Sequence, residues 1–266
     1  MTGIRQLLAY LSMRKLRMRS TQIMRLVTNP HVTVYPREVD FTGEASRIVV
    51  LTPHADDETF GMGGTLLRHI AHGDQVEVLL FSDNVASIDD ASISRTDKIE
   101  CREKEFRCAM EILGVSRYQH FQIADQDFRS GRYPRNAFSS IIEKVPDVLY
   151  LPSVFDNHHD HRVLNVWLLR TLREHYFCRP LIRSYEVWSP LAANAVTDIT
   201  GEMDRKREAM RCYASQLETI DYMHHMEGLN AYRAITFGGR RADFAEAFFE
   251  LPADVYFEIG KSLFPS

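Results

Sequence analysis

A histidine, two aspartates and a glutamate stand together in the stretch PHADDETFGMGG, as His54, Asp56, Asp57 and Glu58. A second polar cluster, DNHHDHR from Asp156 to Arg162, supplies His158, His159, Asp160 and His161. Imidazole and carboxylate are common ligand types for divalent metals, and His54 and Asp57 are three positions apart, within one turn. Two imidazoles with one carboxylate leave a coordination position open, which is the arrangement of a catalytic zinc rather than a closed structural one. Zinc suits such a mixed set, magnesium and calcium prefer all-oxygen shells, and another first-row metal fits the same ligand types. Taken singly, each residue has a plainer use. A loop His or Asp is usually solvated, and Asp56 and Asp57 are of the type that caps a following helix. It is the joint occurrence of H-x-D-D-E and H-x-D-H that points to a metal site.

Both clusters follow apolar runs that read as buried strands, RIVVLTP from Arg47 and PDVLYLPS from Pro146. Between and after them, strand and helix patterns alternate. A helix is expected over Gly63 to His72, a strand over QVEVLLFS from Gln75, and a long helix from Thr96 to Leu113 stopped by Gly114. A strand over Tyr118 to Ile123 and helices over Ala137 to Lys144, Arg162 to His175 and Glu202 to Gln216 complete the pattern, with PLIRSYEVW from Pro180 as a further strand. This alternation predicts an α/β fold, a Rossmann-like, mostly parallel sheet with helices on both faces. In such sheets the ligand site lies at the carboxyl ends of the strands, where both clusters fall. Asp83 and Asn84, just after the second strand, are placed to line the same pocket.

Composition bounds the remaining possibilities. With 266 residues and 45% hydrophobic content the chain can bury a full core, and a net charge of −4 offers no global reason to bind nucleic acid. No apolar run approaches the roughly 20 residues of a membrane-spanning helix. The four cysteines, Cys101, Cys108, Cys178 and Cys212, form no C-x-x-C pair, which predicts unpaired thiols and a reducing compartment, and the lack of an evident export signal predicts a cytoplasmic setting. No phosphate-loop or dinucleotide fingerprint accompanies Gly61, Gly63 and Gly64. Residues 1–40 differ from the α/β domain expected over 41–266: no acidic residue precedes Glu38, and Ile4, Leu7, Leu8 and Leu11 fall at helical spacing among arginines. That pattern predicts a basic amphipathic helix, packed on its own domain, docked to a partner or in peripheral contact with an anionic membrane through residues 1–25, and a cleaved organelle-targeting peptide has the same composition. The oligomeric state leaves no mark on the sequence.

The motifs PHADDETFGMGGTL and HHDHR resemble the two signatures of the PIG-L/LmbE-like metal-dependent de-N-acetylases, and CREKEFRCAMEILGV from Cys101 resembles the helix between them through Arg102, Glu105, Ala109, Leu113 and Val115. Ala55 and His159 stand where that family has proline, and neither change removes a candidate ligand. The resemblance implies His54, Asp57 and His161 as ligands of Zn2+ or a similar ion, and Asp56 as general base. It implies as substrate a small N-acetylated sugar or its conjugate, of the N-acetylglucosamine type, losing its acetyl group by hydrolysis. A zinc ion lowers the pKa of water from about 15.7 toward about 7, so a free carboxylate such as Asp56 has only a weak acid's proton to accept. His158 is then the candidate donor to the oxyanion and to the leaving amine. Asp160 is expected to orient the His158 ring and raise its pKa, and whether His159 competes with His158 for a role stays open in the sequence. Glu58 is expected to brace the loop, and Arg102 either contacts substrate or forms a surface pair with Glu105. Trp188, Tyr213 and Gln216 are either sugar contacts or core, and His224 and His225 have no partner motif. The alternatives are a hydrolase of another amide or ester on the same scaffold, or a non-enzymatic binding module with a vestigial pocket.

Overall fold

The computed structural model describes residues 36–175, 179–237 and 242–263. Along the chain run β1 (Arg37–Glu38), β2 (Arg47–Thr52), α1 (Asp57–His72), β3 (Gln75–Ser82), α2 (Arg95–Leu113), β4 (Arg117–Ile123), α3 (Asp125–Ser130), α4 (Arg135–Lys144) and β5 (Val148–Pro152). There follow α5 (His159–Glu174), β6 (Leu181–Tyr185), β7 (Ala195–Asp198), α6 (Met203–Arg211), α7 (Ala214–Leu217), α8 (Tyr222–Arg233), β8 (Ala245–Pro252) and α9 (Ala253–Leu263). The strands form one sheet in the order β1-β7-β8-β6-β5-β2-β3-β4. All pairings are parallel except those of β8, which runs antiparallel to β6 and β7.

Successive residues of a strand face opposite sides of a sheet, so continuous apolar strands require cover on both faces. Ile48, Val50, Val78 and Leu80 join one core cluster with residues of α1, α2 and α6. Val49, Leu51, Leu79 and Phe81 join the other with residues of α4, α5 and α9. The mostly parallel α/β sheet with helices on both faces is the expected one. From β2 the chain crosses to β3 on one side, while β5 lies on the other. The crevice where the strand order reverses therefore opens above the carboxyl ends of β2 and β5.

Helix α1 begins at Asp57, six residues earlier than its pattern predicts, and breaks at Met62, whose φ and ψ are −149° and 21°. The break leaves Phe60 O and Gly64 N, the two ends of one helical hydrogen bond, to find other partners. Lys206 Nζ donates to Phe60 O at 2.8 Å, and Glu246 Oε1 accepts from Gly64 N at 2.9 Å. Lys206 and Glu246 are both fully enclosed and pair with each other at 2.7 Å. The close approach also needs glycine: a Cβ on Gly61 would stand 2.6 Å from Glu186 O, and one on Gly64 2.6 Å from Ile199.

Three expectations change. The helix expected over 202–216 is two, α6 and α7, interrupted at Cys212 and Tyr213. Strands β7 and β8 and helices α8 and α9 had no counterpart in the sequence pattern. Cys108 on α2 and Cys212 after α6 form a disulfide, Cα atoms 5.8 Å apart and 104 residues apart in sequence, because those two helices pack side by side. That bridge corrects the expectation of unpaired thiols and removes the cysteine argument for a reducing setting; among the described residues Cys101 is a free thiol. The expected basic helix of residues 1–25 lies outside the described residues, as does Cys178. Among the described residues no helix is long and apolar enough to cross a membrane.

Candidate active site

Strand β2 delivers the first cluster to the crevice in a turn that a chain of L-residues resists. Asp56 adopts φ 142°, a region outside the usual range for a residue with a Cβ. The surroundings over-determine it. Asn84 Oδ1 accepts from Ala55 N at 2.9 Å, Thr52 Oγ1 donates to His54 O at 2.7 Å, and Arg102 Nη2 bonds to both Ala55 O and Asp56 Oδ2, the latter at 2.8 Å. Glu58, fully buried, accepts from the Thr59 and Tyr213 hydroxyls at 2.7 and 2.8 Å and from Asp56 N at 3.3 Å, and its Oε2 stands 3.1 Å from Thr52 Oγ1. It braces the loop and stays away from the cavity; burial raises its pKa.

The second cluster arrives where β5 ends and α5 begins. Asp156, buried, accepts from His158 N at 2.8 Å and from Trp188 N at 3.2 Å, and its Oδ2 stands 3.4 Å from His161 Nδ1. The two clusters meet at Asp57. Its Oδ2 lies 3.1 Å from His54 Nδ1 and 3.2 Å from His161 Nε2. The ring nitrogens of His54, His158 and His161 also converge, within 4.8 Å of one another. His161 is fully buried, yet neither of its nitrogens makes an aligned hydrogen bond, although a carboxylate oxygen stands close to each. Two imidazoles on one buried carboxylate need positive charge between them, and a divalent cation fits that requirement as well as protons do. An open cavity of about 530 Å3 lies over this point, walled by His54, Asp56, Asp57, His158, Asp160 and Trp188 among others.

The electrostatics follow from burial and contact. Burial disfavours charge on His54, but its bonds to Asp160 and Asp57 outweigh this and hold the ring at about 10. Burial likewise works against ionised Asp57, which His161 and His54 nevertheless keep well below the usual carboxylate range. Asp56 is pushed up to about 7 by burial and by the Asp57 and Glu58 charges, against the pull of Arg102 and His54. His158 is held down at about 4 by burial and by the neighbouring His54 and His161 rings.

Asp160 acts on His158 through its charge, which raises the ring's pKa but is outweighed by burial and the neighbouring rings, and through its backbone, not through a side-chain bond. Its carboxylate takes His54 Nε2 at 3.1 Å and His159 Nδ1 at 3.0 Å, because the opening of α5 turns the side chain toward His54; only its backbone N–H meets His158 Nδ1, at 3.3 Å. His159 stays on the rim, half exposed, and does not compete with His158. Arg102 lines the cavity and is not half of a surface pair. It is fully buried, with Nη1 on Glu105 Oε2 at 2.6 Å and Nη2 on Asp56, because α2 lies beneath the Asp56 loop. Asn84 lines the cavity but commits its amide to Ala55 N and Ser82 O. Asp83 is not among the wall residues; its carboxylate turns to Arg95 and to Val85 N. Tyr213 is core, bonded to Glu58, and Trp188 is half exposed at the cavity. Sequence reasoning missed the positioning contacts of Asp156, although it opens the second motif, and Tyr222 on the cavity wall, whose helix α8 has no strong apolar stripe.

Residues 49–171 match the family described as PIG-L: GlcNAc-PI de-N-acetylase. The chain is similar to the diacetylchitobiose deacetylase of Thermococcus kodakarensis, 27% identical over 123 residues, which cover 45% of this chain and 46% of that protein. The match thus spans about half of that relative's length. In structure the chain resembles the N,N'-diacetylchitobiose deacetylase from Pyrococcus horikoshii, with a TM-score of 0.69 and 18% identity over 89% of this chain and 94% of that one. It also resembles the 4-carboxy-2-hydroxymuconate hydratase from Pseudomonas putida, with a TM-score of 0.62 and 20% identity over 78% of this chain and 96% of that one. Identities this low establish the fold. A hydratase and a deacetylase on one scaffold leave the chemistry to be argued from side chains.

Proposed function

We propose, from the match of residues 49–171 to the PIG-L family, that this chain is a metal-dependent hydrolase removing the acetyl group from an N-acetylglucosamine-type sugar or its conjugate. The observation that carries this reading is the sharing of Asp57 Oδ2 between His54 and His161, with a second, separately held carboxylate, Asp56, facing the same cavity. His54, Asp57 and His161 are assigned as the ligands. The alternative grouping with His158 in place of Asp57 lacks the anionic ligand, and Asp57 is already at bonding distance from both imidazoles. Zn2+, or another first-row divalent ion, held by these residues would supply Lewis acidity for amide hydrolysis and make water more acidic.

The protein's own groups divide the remaining work. Asp56, fixed by Arg102, accepts the proton of the water that attacks the acetamide carbonyl. It returns that proton to the nitrogen as the C–N bond breaks, so that acetate and a free amine leave. His158 receives the Asp160 N–H on Nδ1, which places its own proton on Nε2. It therefore acts as a neutral donor to the oxyanion, not as the imidazolium that a neighbouring carboxylate would have favoured. Asp160 is a positioning residue for His54.

The test is acetate release from N-acetylglucosamine conjugates by metal-loaded protein, with bound metal measured alongside. Asp56→Asn is expected to lower turnover by about a hundredfold or more with metal content unchanged. His161→Ala is expected to lose the metal itself. Turnover that survives complete chelation, or metal that stays bound in His161→Ala, defeats the assignment.

A further inference from the structure

The hydrolytic scheme has no use for one wall of the cavity. Trp188, in the loop after β6, lines it with 48% of its surface exposed. Its loop is nonetheless tightly held. Trp188 N donates to Asp156, Asn157 N donates to Ser189 Oγ at 3.1 Å, and buried Glu186 accepts from Leu191 N at 2.7 Å and from the Arg233 guanidinium. Arg233 also reaches Leu191 O at 2.8 Å, closing the loop onto α8. A chain that commits a buried ion pair to holding a half-exposed indole in place has preorganised a contact surface.

The geometry points to what that surface meets. The indole lies nearly parallel to the His158 ring, centroids 6.0 Å apart and planes at 25°, and His158 is in turn 4.7 Å from the His161 ring. Tyr222 stands edge-on to Trp188 at 6.1 Å and 89°, so the two aromatics make a corner one ring's width outward from the candidate metal ligands. A pyranose ring presents a flat face of C–H groups with hydroxyls around its edge. That shape suits a rigid, amphipathic indole better than it suits a charged or deeply apolar pocket. An acyclic acetamide has no such face.

We infer that Trp188, walled by Tyr222, is the specificity platform of this site, stacking the pyranose ring that bears the acetamido group and selecting cyclic N-acetyl sugars over acyclic N-acetyl amines. The inference rests on the de-N-acetylase reading for the identity of the ring, but binding to the platform does not require turnover. The chain has two tryptophans, and Trp167 is 1% exposed in the core, so emission changes on ligand binding report Trp188.

The experiment titrates metal-loaded protein with an N-acetylglucosamine disaccharide and, separately, with N-acetylethanolamine, following fluorescence and calorimetry together with acetate release. The disaccharide is expected to give a saturable emission change that the acyclic compound does not. Trp188→Ala is expected to weaken its binding roughly tenfold by calorimetry, with Trp188→Phe recovering part of the loss and the melting temperature of both variants unchanged. Equal affinity in wild type and Trp188→Ala, or an equal response to the acyclic compound, overturns the inference. Trp188-dependent binding of the disaccharide without acetate release supports the platform and overturns the hydrolase reading instead.

Discussion

Asp56 owes its conformation to Arg102. A φ of 142° is costly for an aspartate, and the buried guanidinium offsets that cost by taking Ala55 O and the Asp56 carboxylate with the same nitrogen while Nη1 holds Glu105. Ser215 completes the arrangement, donating from N and Oγ to Glu105 at 2.7 and 2.9 Å. A lysine keeps the charge but has no planar fork to serve two carboxylates and a carbonyl at once. Arg102→Lys is therefore expected to lower kcat by tenfold or more at unchanged metal content, as Asp56 drifts from the attacking water. Arg102→Gln leaves two buried carboxylates without a partner charge and is expected to lower stability by about 3–5 kcal/mol in urea denaturation. A lysine variant with wild-type kcat would show that Arg102 merely packs. The sequence placed Arg102 and Asp56 in two separate motifs, 46 residues apart, and nothing in their spacing says that one pins the other.

Helix α1 has to turn after its first residues have been given to the site, and a buried ion pair makes the turn possible. Glu246 takes both Gly64 N and Thr65 N, the latter at 2.6 Å, while Lys206 caps Phe60 O and also meets Asn230 Oδ1 at 2.9 Å. Lys206→Met leaves one uncompensated buried carboxylate that still has two backbone donors. Glu246→Leu leaves a buried ammonium and two orphan N–H groups, and is expected to be the worse of the two. Both should lose about 3–5 kcal/mol or more. A double variant recovering stability relative to Glu246→Leu would confirm that the unpaired lysine is the source of the damage, and additive losses would refute it. The same pair explains why β8 was illegible. AEAFFELP carries two glutamates that break an apolar run, and one of them is buried only because Lys206, 40 residues earlier, lies against it. Strands β2, β3 and β5, by contrast, bury apolar residues on both faces and needed no distant partner to be recognised, and β2 and β5 announced the site because each runs directly into its polar cluster.

At the scale of the molecule, the crevice above β2 and β5 follows from strand order. A sheet whose chain leaves the interior strand β2 for β3 on one side and returns at β5 on the other must open there, and the sequence pattern already placed the ligand site at those strand ends. What the pattern could not foresee is how the far end of the chain returns to enclose the crevice: α8, β8 and the loop with Trp188 are fixed by contacts made across the whole length. The disulfide between Cys108 and Cys212 belongs to this closure. It joins α2, which carries Arg102 and Glu105, to the residue before Tyr213, which bonds Glu58, and it closes a loop of 104 residues. Restricting so long a loop in the unfolded chain stabilises the fold by about 2–4 kcal/mol in typical cases. The hydrogen bonds of Arg102, Glu105 and Tyr213 do not depend on the bridge once the chain is folded. Reduction with a dithiol, or the double variant Cys108→Ser and Cys212→Ser, is thus expected to lower the melting temperature by roughly 4–12 °C while leaving acetate release at 25 °C within about twofold. Calorimetric melts of oxidised and reduced protein that coincide would mean the bridge adds nothing to closure. A loss of activity matching the loss of stability would mean that it holds the site as well as the fold.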